Sequence, residues 1–418
     1  MAKASMMDFN KIVKSDIKNF GYDVEQFMFK SDFPTFDYLN GQVEYDRNGN
    51  PSYSVGIDAG KTIMIVGKAG CGKSTFGLQL AWSIMKKYEQ STMFIYDFEQ
   101  SHTKNRIKSL TGMDDEEYER RIVLKKVGIY TESILKIVKQ LAKFKKTNEK
   151  DLLVPNCEGD IDPATGKPRL ILPPTFIFID SLASMRTESY QEGEEMNGLT
   201  AGGRNAINNK ELINRILQPC MEANIIPIII NHLNTNMSMG VTPPEATTRF
   251  LKNTEAVSGG AAVGYLTNLF LKIEAKEKLE PDDKFHVKGF MANINIIKSR
   301  NTEGGKSFPF VFNQVEGFDP ELSMFQFLKN NGVIQGSGVG MYLPGLEDHK
   351  FRMSNIKTKL ATDPEFKSQF YLLTEEALKQ SVSVSSKAAA TAEKMREADE
   401  EENAEVEEIQ TEGLEDIQ

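Results

Sequence analysis

Apolar residues along the chain gather in short continuous runs that alternate with segments of helical period. KTIMIVG at 61–67, STMFIYDFEQ at 91–100, TFIFID at 175–180 and IIPIII at 225–230 are apolar and rich in β-branched or aromatic residues. Strands buried in a parallel sheet have that character. Between them, residues 74 to 88, EYERRIVLKK, SILKIVKQLAKFKK and NNKELINRILQPCMEA repeat their apolar positions at helical spacing. Strand alternating with helix predicts an α/β fold with a mostly parallel central sheet flanked by helices. Further strands are expected around Val127–Ile129, at Leu269–Ala275 and at Met291–Lys298, with a polar hairpin over Lys276–His286.

The flanks break this rhythm. Met7, Phe9, Ile12, Val13, Ile17 and Phe20 approach a helical period, which predicts a short N-terminal helical segment within 1–32. DRNGNPSYSVG breaks regular structure, so the core is expected to begin near Lys61. NCEGDIDPATGKPRLILPP marks an inserted loop or hairpin over 151–174. A C-terminal region at 317–390 has mixed helical pattern, and 391–418 reads as a disordered acidic tail.

Charge sharpens that division. Of the 418 residues 50 are Lys or Arg and 59 Asp or Glu, but eleven of the acids lie between Glu397 and Gln418, where there is no Lys or Arg. The remainder therefore holds 50 basic and 59 − 11 = 48 acidic residues, and the formal charge of −9 belongs to the tail. Cys71, Cys157 and Cys220 lack CxxC spacing, which argues against a disulfide framework or zinc site and fits a reducing cytoplasm. No stretch is apolar for long enough to span a bilayer, so no membrane partner is expected.

The chemistry starts at Gly67-Lys68-Ala69-Gly70-Cys71-Gly72-Lys73-Ser74, set between a strand pattern and a helix pattern and followed by Thr75. Glycines at this spacing let successive backbone N–H groups and a helix N-terminus face phosphate oxygens. Lys73 is expected to neutralise the β- and γ-phosphates of ATP, and the Ser74 hydroxyl to ligate Mg²⁺. Asp180, closing TFIFID, is the candidate carboxylate on the metal side, and a turn or cap role is its alternative. FIYDFEQ offers Asp97 and Glu99 at the ligand-binding edge; Glu99 is the candidate to activate water, with one of the two acids open to a structural role. His232 follows a buried strand, where a side chain can sense the γ-phosphate or simply be solvated.

Two long polar segments, Ser181–Asn209 and Leu233–Gly264, follow the strands and read as functional loops. In them Arg186, Arg204, Arg249 and Lys252 are candidates for phosphate contact, and Tyr190, Met237 and Phe250 for wedging against bases, although glutamates share both loops. Lys298 and Arg300, two apart in INIIKSR, would point to one side of a strand and suit a phosphate held by a neighbouring subunit.

In this order the pieces resemble the RecA superfamily, most closely the RecA/UvsX class of phage and bacterial strand-exchange recombinases, over roughly residues 33–315, within an expected RecA-like core at 33–316. FPTFDYLNG with GIDAGKTIMIVGKAGCGKSTFGLQLA is similar to the family's approach to its P-loop, and YDFEQ to the strand whose glutamate activates water. FIDSLASM is similar to the start of the first DNA-binding loop. IINHLNTNM, with the glycine pair Gly259 and Gly260, is similar to the sensor strand and second loop, and IIKSR to the cations that reach ATP across a subunit interface. The resemblance implies a RecA-like core, ATP and Mg²⁺ as cofactors, and a DNA-dependent ATPase that forms helical filaments with itself on single-stranded DNA. It implies pairing with double-stranded DNA in recombination and repair, with loader and single-strand-binding proteins as accessory partners. Residues 1–32 occupy the place of the family's subunit-linking segment, and its acidic tails restrain duplex binding. The 151–174 insertion and the acidic first loop depart from the pattern. IKSRNTEGGKSFPFVF also resembles the end of the motor of hexameric helicases, and a non-catalytic recombination mediator of the same fold is a further alternative.

Overall fold

The computed structural model describes residues 27–45, 49–162, 165–188, 198–235, 250–252, 254–258, 262–282 and 285–384, with backbone alone at 198–205, 235, 262, 383 and 384. The expected N-terminal helix, the bulk of the second loop and the acidic tail lie outside them.

Ten strands form one sheet: β1 (Ile63–Gly67), β2 (Thr92–Asp97), β3 (Ile122–Lys125), β4 (Thr175–Asp180), β5 (Ile225–Thr235), β6 (Glu255–Val257), β7 (Leu269–Leu279), β8 (Gly289–Ser299), β9 (Ser307–Asn313) and β10 (Gly317–Asp319). Their order is β10-β9-β8-β7-β1-β5-β4-β2-β3, with β6 paired to the outer part of β5. The six strands from β7 to β3 are parallel, whereas β8, β9 and β10 add in antiparallel fashion and β6 runs antiparallel to β5.

Period-two alternation divides the strand side chains between two cores. Ile63, Ile65, Phe176, Phe178, Ile226 and Ile228 face one, covered by Phe76, Leu80 and Ile84 of helix α1 (Lys73–Met85). Met64, Val66, Ile177, Ile179, Ile225 and Ile229 face the other. That second core is closed by Ile134 and Val138 of α2 (Thr131–Thr147) and Ile213 and Ile216 of α3 (Gly198–Glu222). The predicted α/β architecture is present. A third core around Phe325, Phe351, Phe366 and Phe370 belongs to the C-terminal region, where helices Pro320–Asn330 and Pro364–Ser381 pack with the hairpin Met341–Leu343/Leu346–Phe351.

Four local expectations are corrected. The strand expected at Val127–Ile129 is instead β3: helix Asp115–Arg121 stops before Ile122, which pairs with Met93, while Val127 is exposed and Gly128 turns the chain at φ 60°. DRNGNPSYSVG is not wholly irregular, because Pro51–Ser54 pairs with Gln42–Tyr45. The first long loop is shorter than expected, since α3 already begins at Gly198. Likewise Leu233–Thr235 extends β5, so the second loop rises from a strand. The insertion forms a hairpin, with Val154–Pro155 against Leu170–Ile171.

Lys145, buried in α2, ties this layer together: its ammonium donates to the carbonyls of Pro173 at 2.6 Å and Ala223 at 3.0 Å. Burial pushes its pKa down from 10.5 to about 7. The unfolded chain therefore binds the extra proton between those values, so stability is greatest at high pH and is lost as pH falls toward 7. Denaturant titrations between pH 7 and 9 should show stability rising by up to about 1.4 kcal/mol per pH unit, a slope that Lys145→Met removes.

Candidate functional site

β1 is buried along its length and releases the chain at Gly67 into an exposed turn, Lys68–Gly70, before Cys71 tucks inward. Gly72 stands at φ 87° as the residue before α1, a left-handed conformation that favours glycine. Gly70, at φ 74°, has nothing within 4 Å of where a Cβ would stand, so the turn presents bare backbone to the outside. Gly67 is held for another reason: a Cβ there would come within 2.5 Å of the Ile273 carbonyl oxygen. Lys73, nearly buried, folds back so that its Nζ donates to the Lys68 carbonyl at 2.8 Å. Open N–H groups, a helix start and a lysine bent over the turn fit a polyphosphate. Thr75 follows, half-buried, in the first turn of α1.

Asp180 ends β4 beside this turn, 2 % exposed, and accepts the Ser74 hydroxyl proton on Oδ2 at 2.6 Å. The hydroxyl oxygen keeps lone pairs for a cation, and a hydroxyl with a carboxylate suits hard Mg²⁺. Among the described residues no three His, Cys, Asp or Glu gather into a metal cage. Mg²⁺ would thus be held by Ser74 and Asp180 together with phosphate and water, where it would supply charge neutralisation at the phosphates.

β2 runs beside β4 with Asp97 opposite Asp180. Asp97 is fully buried and takes the structural role: its carboxylate accepts the N–H groups of Ser101 at 3.0 Å and His102 at 2.9 Å. The tight turn this fixes carries Gln100 at φ 54° and leaves Glu99 one-third exposed at its crest. Glu99 accepts the Ser181 hydroxyl and lies 2.7 Å from His232 Nε2. His232 is held in turn by its strand, opposite Gly67, and its N–H donates to Asn231 Oδ1 at 2.9 Å. A partly exposed carboxylate steered by a hydroxyl and an imidazole can orient and deprotonate a water. The structural role left open for one of the two acids falls to Asp97, whereas Asn231, Ser181 and His102 are not marked by spacing, because hydrogen bonds across neighbouring strand ends and the turn after β2 bring them in.

Beyond His232, β5 runs on to Thr235 and pairs with β6, with Leu233 opposite Val257 and Thr235 opposite Glu255. The Ser258 N–H donates to the His232 carbonyl at 3.1 Å. Glu255 also takes the buried Lys272 ammonium at 2.8 Å, which Glu274 shares. Burial opposes charge on Glu274, but hydrogen bonds from Lys272 and Lys276 outweigh it and hold its carboxyl at about 2. These groups line a cavity of about 420 Å³ between P-loop residues Lys68–Cys71 and the returning arm of the second loop.

Lys298 and Arg300 are not presented as the expected pair. Lys298 Nζ caps the carbonyls of Tyr265 at 2.5 Å and Thr267 at 2.9 Å, at the end of helix α4 (Ala262–Leu266), while β8 stops at Ser299 and leaves Arg300 exposed beyond it. Burial lowers the Lys298 pKa, and Arg300 adds to the effect. Register puts Lys298 opposite Phe270 and Phe270 opposite Met64, about 10 Å along the strand from Gly67, so both cations stand away from the P-loop of the same chain.

Of the DNA-contact candidates, Arg186 sits at the end of the 3₁₀ turn after β4, its guanidinium on the Met185 carbonyl and its own carbonyl accepting the Thr131 N–H. Lys252 is exposed at the foot of the second loop, 4.0 Å from Glu274. Phe250 is exposed and lies against Gly304 and Gly305. Arg204 lies on α3 with its side chain undescribed, and Tyr190, Met237, Arg249, Gly259 and Gly260 are outside the described residues. No helix among the described residues is long and apolar enough to cross a membrane.

Residues 51–196 match the family described as ATPase: KaiC. No curated protein matches the chain. The matched span runs from before β1 through the P-loop, Glu99 and Asp180. The chain thus carries a KaiC-like ATPase domain of the RecA-like P-loop superfamily at 51–196.

Glu99→Gln should lower ATP turnover by about 10²- to 10⁴-fold while leaving binding of a fluorescent ATP analogue intact. Lys73→Ala should abolish binding itself. Unimpaired turnover in Glu99→Gln would remove Glu99 from the chemistry.

Proposed function

We propose that the protein is a DNA-dependent ATPase that assembles with itself as a helical filament on single-stranded DNA and catalyses homologous pairing and strand exchange. The observation that carries this reading is the continuity of β5: the residue that contacts Glu99 and the foot of the second loop lie on one strand, only three residues apart. A ligand that repositions Glu99 and His232 acts directly on the mounting of that loop, so ATP occupancy can set whether the loop is arranged to bind.

In the proposed cycle the P-loop N–H groups and Lys73 bind the phosphates, Ser74 and Asp180 hold Mg²⁺, and Glu99 takes a proton from the attacking water. His232 registers the γ-phosphate and passes its state to the loop carrying Met237, Arg249 and Lys252. Arg186 and Arg204 extend the DNA surface from the first loop. Arg300, exposed and remote from its own P-loop, completes the site of a neighbouring subunit, where removing such a cation costs about 10³-fold in turnover. Lys298 supports it by fixing the strand end against helix α4.

Single-stranded DNA should stimulate ATP turnover, and electron microscopy with a non-hydrolysable ATP analogue should show helical filaments; closed rings would favour a helicase instead. Arg300→Ala and Glu99→Gln proteins should each be inactive alone yet regain turnover when mixed, because the first supplies an intact Glu99 and the second an intact Arg300. Mixtures that stay inactive would place Arg300 outside the site.

A further inference from the structure

The His102 imidazole is 4 % exposed and lies against the carboxylate assigned to the metal. Three contacts fix it. Its backbone N–H donates to Asp97 Oδ2 at 2.9 Å, its ring stands edge-on to Phe178 with centroids 5.6 Å apart, and its Nε2 lies 2.9 Å from Asp180 Oδ2. An ionised carboxylate only accepts, so the imidazole is the donor and Nε2 carries the hydrogen. Asp180 Oδ2 therefore receives two hydrogen bonds, from Ser74 on α1 and from His102 on the turn after β2. With both fixed, rotation of the Asp180 carboxylate about its own axis breaks one or the other.

We infer that His102 is a positioning residue for the metal site, holding the Asp180 carboxylate in the orientation that lets Asp180 and Ser74 face one Mg²⁺. It does not touch nucleotide or metal. Outer partners that orient a ligating group in this way are worth about 10- to 100-fold in metal affinity. The same turn presents Glu99 on its outer side, so Asp97, by fixing one short segment, sets both the water-activating carboxylate and the brace behind the metal carboxylate. The inference rests on the ATP–Mg²⁺ reading of the site.

The test is Mg²⁺ titration of the binding of a fluorescent, non-hydrolysable ATP analogue by the full chain. His102→Leu keeps apolar bulk against Phe178 but has no donor, whereas His102→Gln keeps an N–H of similar reach. Melting curves without nucleotide establish that both are folded. His102→Leu should need about tenfold more Mg²⁺ for half-maximal binding, with binding in EDTA unchanged, and His102→Gln should return to within about threefold of the parent. Equal Mg²⁺ requirements in Leu, Gln and parent proteins, or equal shifts in both variants, would overturn the inference. A parent protein whose nucleotide binding ignores Mg²⁺ would instead overturn the metal-site reading on which it stands.

Discussion

The register of six parallel strands is the constraint on which the site depends. Parallel strands place their C-terminal ends on one edge, and here the pairing sets His232 opposite Gly67 and Asp97 opposite Asp180. A slip of one residue in any pair would turn its side chains to the other face and exchange the two cores, whose alternating members are packed by different helices. The buried isoleucines and phenylalanines of β1, β4 and β5 therefore fix the address of the chemistry as firmly as the polar groups do. They oppose a slip because each displaced side chain would lose a packed contact worth roughly 1.5–3 kcal/mol.

At that edge the polar groups are satisfied in pairs. Asp97, buried and ionisable, is tolerated because two backbone N–H groups saturate it and Lys126 stands 3.6 Å away. Asp180 is tolerated because a hydroxyl and an imidazole fall on it. Glu99, by contrast, is left partly open to solvent, with the Ser181 hydroxyl and the His232 imidazole beside it. A carboxylate committed to structure, Asp97, thus sits two residues from Glu99, left available to water, and across one strand pair from Asp180, the candidate metal ligand, and burial separates the roles of the first two.

Much of this was readable from residue order. β1, β4 and the first half of β5 are apolar runs and the glycine spacing before α1 admits few backbone shapes, so residue order alone places Lys73 and Ser74 at a helix start and Asp180 and Glu99 at strand ends. Less was readable where local pattern competes with tertiary pairing. The helical period of EYERR ran on into Ile122–Lys125, which becomes a strand because Met93 and Ile95 offer it a free edge. Gly202 and Gly203 are poor helix formers and disguise the start of α3, whose described buried apolar residues begin at Leu212. Lys298 looked like a presented cation because strand alternation says nothing of the helix carbonyls that meet it. A single histidine after a strand has no periodicity to betray it, so His102 emerges only once Asp97 is seen to close the turn.

What gives the arrangement its functional content is that Glu99, His232 and the start of the second loop form one connected path: carboxylate to imidazole, imidazole to strand, strand to β6. Hydrogen–deuterium exchange at the amides of 233–235 and 255–257, with and without a non-hydrolysable ATP analogue, tests that path most directly. The account predicts that the analogue slows exchange there in the parent protein and that His232→Ala abolishes the slowing while still binding the analogue. Exchange that ignores the nucleotide, or that slows equally in His232→Ala, would contradict it.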